Sequence, residues 1–301
     1  FSEYWQVSFF CLNLILLLSI QWLIAKCLLI CGTRNSLVAM TMPLLLISAD
    51  FLTWPRYLLS DMLFAWLVML FVYYCLRARL SQKSFFIPII AVSLLTAVTR
   101  PTSLPILVSL PIILFLPIIF PRITKTRVLA IILPFSVVLA SLTYGIFFGN
   151  IYQLDWGNTQ LDHIWNWMRD GTVIGARPET WLAPPTLWFE ISELFLIRFF
   201  AFFYPIAQTF SVYHNAANVL LLGVFLAGLM AWYGLKDVKT KQLDEVAWII
   251  LVLVVVVSCF HSATQIDWEW RYRFPIIAPL MVYSIVSWEY LMRRLLHEGD
   301  P

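Results

Sequence analysis

Residues 246–263 read Val246-Ala247-Trp248-Ile249-Ile250-Leu251-Val252-Leu253-Val254-Val255-Val256-Val257-Ser258-Cys259-Phe260-His261-Ser262-Ala263, with no Asp, Glu, Lys or Arg among them. As a helix rising about 1.5 Å per residue, the run covers about 27 Å, close to the hydrocarbon thickness of a bilayer. Just beyond it comes Asp267-Trp268-Glu269-Trp270-Arg271-Tyr272-Arg273-Phe274-Pro275, which alternates charge and aromatic before the next apolar run. If extended, this segment puts its four charges on one side and its rings on the other. If helical, it pairs Asp267 with Arg271 and Glu269 with Arg273 at four-residue spacing, acid first. Pro275 suits the opening of a following helix and disfavours helix at Phe274. An interfacial anchor uses such aromatics, but it does not require four charges in seven positions, and both readings stand.

The rest of the chain repeats the apolar theme. Hydrophobic residues make up 61% and charged ones 12%, about half the charged share of a soluble domain. Nine apolar runs of spanning length are expected, at about 7–30, 36–53, 58–76, 85–99, 102–120, 128–149, 215–235, 246–263 and 275–292. The predicted fold is therefore an all-α polytopic transmembrane bundle forming a single domain over 1–301. A net charge of +3 is too small to point to nucleic acid. The five cysteines, Cys11, Cys27, Cys31, Cys75 and Cys259, lie in or beside apolar runs and read as small buried hydrophobes. The chain starts at Phe1 without Met, and the reading takes it as the remainder of a longer protein.

Orientation follows from basic residues in short loops. The clusters are Lys26/Arg34, Arg77/Arg79/Lys83, Arg122/Lys125/Arg127, Lys236/Lys239/Lys241 and Arg293/Arg294. They share one side if the stretch 189–210 does not cross. Glu190, Glu193, Arg198 and Pro205 interrupt that stretch, which reads as an amphipathic helix in the outer interface with Phe199, Phe200, Phe202 and Phe203 in lipid. Residues 150–214 then form an outer loop plus this interfacial helix. The active face is expected on the non-cytoplasmic side of a plasma or inner membrane.

Several residues on that face can carry chemistry. Arg100-Pro101 interrupts the apolar stretch Phe85–Phe120, and the arm before it rises only about 22 Å. Arg100 is therefore expected below the membrane surface, in a cavity, or else snorkelling to headgroup phosphates. Asp61 follows Ser60 at a span start; it either offsets the helix dipole or serves as a catalytic carboxylate. The loop from Asn150 to Trp188 interleaves Trp156, Trp165 and three further tryptophans with Asp162 and His163. Such a loop suits a sugar, whose C–H face stacks on rings while its hydroxyls take polar partners; interfacial tryptophan is the plainer account. No glycine-rich phosphate loop and no Cys/His metal spacing is found.

Tyr57-Leu58-Leu59-Ser60-Asp61, Leu95-Thr96-Ala97-Val98-Thr99-Arg100-Pro101, Arg198-Phe199-Phe200 through Tyr204-Pro205 to His214-Asn215, and Arg271-Tyr272-Arg273-Phe274-Pro275 together resemble motifs of the GT-C-fold glycosyltransferases. The likeness is to the family 39 branch of protein mannosyltransferases and aminoarabinose transferases. It implies transfer of a sugar, with inversion, from a polyprenyl-phosphate donor to a lipid, glycan or protein acceptor. It implies donor-phosphate contacts from Arg100, Arg271 and Arg273, and sugar or acceptor contacts from Trp156, Asp162, His163, Trp165, Asp267 and Glu269. Membrane lipids are the other expected partners, a nucleic acid is not, and a divalent metal has room in the scheme without assigned ligands. The resemblance implies an acidic motif after a first span, expected to precede Phe1, so these 301 residues alone are expected to be inactive. Asp61 is the catalytic candidate that remains. Rival classes are a lipid-linked glycan polymerase or ligase and a transporter or flippase; internal repeats would mark the last, and none is found.

Overall fold

A computed structural model describes residues 4–48, 51, 61–81, 85–99, 104–119, 188–206, 211–234, 241–264 and 273–297. Among them there are ten helices and no strand: α1 (Tyr4–Ile30), α2 (Asn35–Ala39), α3 (Thr41–Ile47), α4 (Asp61–Leu80), α5 (Phe86–Thr99), α6 (Leu104–Ile119), α7 (Trp188–Phe203), α8 (Val212–Gly234), α9 (Lys241–Thr264) and α10 (Phe274–His297). The protein is an integral, multi-pass, all-α membrane protein.

The expected nine spans are corrected to five. Gln6–Ile30, Asp61–Leu80, Val212–Gly234, Lys241–Ser262 and Phe274–Leu296 are the helices long and apolar enough to cross among the described residues. Three other runs fall short. The 36–53 run breaks into α2 and α3, because Pro43 lacks the N–H for Ala39 O and its ring crowds that carbonyl. Thr41 Oγ1 donates to Val38 O at 2.7 Å across the break. The 85–99 and 102–120 runs are helical for 14 and 16 residues, about 21–24 Å, where the hydrocarbon core needs about 30 Å. The run at 128–149 lies outside the described residues.

The described residues fall into two compact units. The first comprises those within Phe1–Phe120, Pro205–Leu253 and Arg273–Pro301; the second, those within Pro121–Tyr204 and Val254–Tyr272. At the centre of the first unit, α10 packs against α8, α4 and α1, and α4 also packs against α1 and α5. At Gly228 of α8 an added Cβ would lie 2.7 Å from Ser284 Cα. Trp248 Nε1 donates to Ile113 O at 3.2 Å, satisfying an indole N–H that burial would otherwise strand. α1 ends in a Schellman turn: Gly32 has φ 76°, and Thr33 N–H reaches back to Leu28 O at 3.0 Å, a conformation glycine adopts without a Cβ penalty.

In the second unit, α7 carries Arg198, which is only 3% exposed. One turn on, Phe202 stacks on His261 with ring centroids 5.3 Å apart. Of the phenylalanines expected in lipid, Phe200 is exposed and Phe202 is buried. All five cysteines are free, and four are buried; Cys11 departs from expectation by lying on an exposed face of α1. Burial pushes the Cys31 thiol, just past the first span, up to about 12.

Candidate functional site at the Asp61 end of the bundle

The first unit has two chemically different ends. Arg294 Nη1 donates to Gly234 O at 3.1 Å, bringing the C-termini of α8 and α10 together. Arg293 Nη2 donates to Gly32 O, adding the C-terminus of α1. Both arginines satisfy terminal carbonyls and oppose the negative end of a helix dipole. α9 begins seven residues after Gly234, and its Glu245 takes Arg79 Nε at 2.9 Å and Nη2 at 3.3 Å. The C-terminus of α4 therefore lies at this end too, and α1 and α4 run parallel. Glu289, 1% exposed, accepts from Arg34 at 3.0 Å and from Arg293 at 2.6 Å. A carboxylate that deep is costly to bury without such partners. Lys26, Arg77 and Lys241 lie at the same end by helix position, making it the basic end of the bundle.

The opposite end is built differently. Asp61 opens α4 and is 1% exposed. A carboxylate in the first turn is favoured by the positive end of the helix dipole, which explains how this apolar span begins on an acid. Phe51 and Phe274, both fully buried, pack there with centroids 4.6 Å apart. Phe274 opens α10 directly after Arg273, whose carbonyl accepts from Ile276 N–H at 3.0 Å. The helix thus takes in Phe274, and Pro275 sits in its first turn, where a missing N–H is harmless. Two more polar groups are buried toward this end, Ser48 beyond α3 and Asn218 in the second turn of α8. Ser48 Oγ and Asn218 Nδ2 have no hydrogen-bond partner among the described residues.

Of the residues singled out in the sequence, Asp61 and Arg273 are described, and the fold brings both to this end. Arg100, Trp156, Asp162, His163, Trp165, Asp267, Glu269 and Arg271 lie outside the described residues. Among the described residues no group of three His, Cys, Asp or Glu side chains is placed to share a metal ion. Sequence reasoning passed over Glu289 and Glu245, yet Glu289 interrupts an apolar run four residues before Arg293, a spacing that marks a helical ion pair. Asn218 and Ser48 gave no such signal, since single amides and hydroxyls are common in apolar helices. Compared with protein-family models, curated proteins and solved structures, the chain matches none.

Proposed function

We propose that this membrane protein transfers a sugar from a polyprenyl-phosphate donor to an acceptor hydroxyl at the end of the bundle that holds Asp61. The observation that carries the reading is Asp61 itself, a carboxylate buried at the start of a spanning helix and at the opposite end from the ion-paired arginines. In the proposed step Asp61 accepts the proton of the acceptor hydroxyl as its oxygen attacks the anomeric carbon. The carbon–oxygen bond to phosphate breaks, and polyprenyl phosphate leaves with the electron pair. Its developing charge calls for guanidinium groups more than for an acid, the role assigned to Arg100, Arg271 and Arg273. Because basic residues favour the cytoplasmic side, this reading puts the Asp61 end on the non-cytoplasmic face. A transporter or flippase must open both ends in turn; the arginine contacts at the basic end favour access from one side only.

The test is sugar transfer by the reconstituted protein; with Asp61 as the base, turnover by these 301 residues is expected, in place of the inactivity that the resemblance implies. Asp61→Asn is expected to lower the rate by about a hundredfold to ten-thousandfold, the usual contribution of a positioned base, with donor binding and helix content retained. Full transfer by Asp61→Asn would leave Asp61 as a dipole cap alone.

A further inference from the structure

We propose that Lys26 and Arg77, with the rings of Trp22 and Tyr73, form a headgroup site for an anionic glycerophospholipid on the outer surface of α1 and α4. At the basic end, Arg34 and Arg293 are committed to Glu289, Arg79 to Glu245 and Arg294 to a helix carbonyl. Lys26 and Arg77 are held by rings instead. Lys26 Nζ lies 5.5 Å from the Trp22 centroid. Arg77 Cζ lies 5.7 Å from that of Tyr73 and 4.7 Å from that of Phe85. Neither makes an ion pair among the described residues.

The arrangement has the shape of a headgroup clamp. Trp22 and Tyr73 face each other at 6.5 Å between the two helices. Each cation sits four residues after its ring, and α1 and α4 are parallel, so both cations lie about 6 Å closer to the basic end on adjoining helices. Arg77 gives Nη1–H to Tyr73 Oη at 3.0 Å, which leaves four of its five N–H donors; Lys26 keeps all three. Guanidinium and ammonium together can satisfy the oxygens of one phosphodiester.

Apolar surface leading to the cations favours a lipid over a soluble anion. Ile15, Leu18, Trp22, Lys26 and Leu29 follow helical spacing along one stripe of α1. Ile15, Leu18 and Trp22 are 60%, 58% and 55% exposed, respectively. An acyl chain lying on Ile15 and Leu18 would bring its glycerol to Trp22 and its phosphate to Lys26. Lys26 is also within the first span, four residues from its end, at the level where lipid phosphates meet the hydrocarbon.

The experiment compares retention of phosphatidylglycerol and phosphatidylcholine by the purified protein, using native mass spectrometry. The wild type is expected to prefer phosphatidylglycerol by about twenty-five-fold, about fivefold for each cation near the headgroup. Lys26→Gln should lower this to about fivefold, and Lys26→Gln with Arg77→Gln should bring it near parity. Lys241→Gln removes an exposed charge at the same end and should leave the preference intact. Lys26 is exposed and makes no hydrogen bond among the described residues, so that variant is expected to fold and carries the test by itself. The proposal is overturned if the double variant keeps the preference, if Lys241→Gln lowers it equally, or if excess inorganic phosphate displaces the bound lipid.

Discussion

Replacing Gly228 with valine is expected to force α8 and α10 apart and to destabilise the protein by about 3 kcal/mol, the upper range for overpacking a close contact. The new Cβ would fall 2.7 Å from Ser284 Cα and 2.8 Å from Ser284 Cβ. The nearest obstacle is backbone, so no rotamer change can relieve the clash. Gly228→Ala already adds that Cβ and should destabilise by about 1 kcal/mol or more. Gly223, on the same helix, has nothing within 4 Å of an added Cβ. There Gly→Ala should stabilise by about 0.5–1 kcal/mol through helix propensity alone. Thermal unfolding in detergent separates the two sites. A Gly228→Val protein as stable as the wild type would show that α8 and α10 do not meet as described.

The second large effect is expected at Glu289. Removing both Arg34 and Arg293 as methionines leaves a carboxylate that is 1% exposed without its cations. Breaking a buried pair from one side in this way destabilises by about 3–5 kcal/mol. Arg34→Met alone should lose about 1 kcal/mol or less, because Arg34 is 45% exposed and Arg293 still holds the acid. The three residues form one network, so the losses are expected to be non-additive. Adding Glu289→Leu to the double variant should restore most of the stability, since an apolar side chain needs no partner there. Failure of that rescue would assign the loss to the helix-end contact of Arg293 with Gly32 rather than to a stranded charge.

The long apolar runs were legible because spanning length and hydrophobicity are properties of the sequence itself. The runs at 36–53, 85–99 and 102–120 were misread as spans because apolarity is not helix length. Pro43 and the Arg100-Pro101 pair were visible, and the rise of about 22 Å for 85–99 already fell short of a bilayer. Hydropathy does not register those breaks, so these three runs look like spans in the sequence; the run at 128–149 lies outside the described residues. Asp61 was legible as an acid at a span start; its burial was not, because that depends on which helices close around it. Of the two partners of Glu289, Arg293 lies four residues on and was legible as helical spacing, whereas Arg34 is 255 residues away in sequence, and no local pattern announces that pair. Trp22-x-x-x-Lys26 and Tyr73-x-x-x-Arg77 are each ordinary; only the parallel packing of α1 and α4 makes them one surface.

We propose that Arg100, Arg271 or Arg273 grips the phosphate of a lipid-linked sugar. The most direct test is donor binding, measured with a polyprenyl-phosphate sugar on the wild type and on Arg100→Lys, Arg271→Lys and Arg273→Lys. Lysine keeps the charge but loses the planar two-point grip. At a position that contacts the phosphate, the account predicts donor affinity lower by about tenfold to a hundredfold, the value of one charge-assisted hydrogen bond, with unfolding temperature unchanged. Full donor binding by all three variants would contradict it.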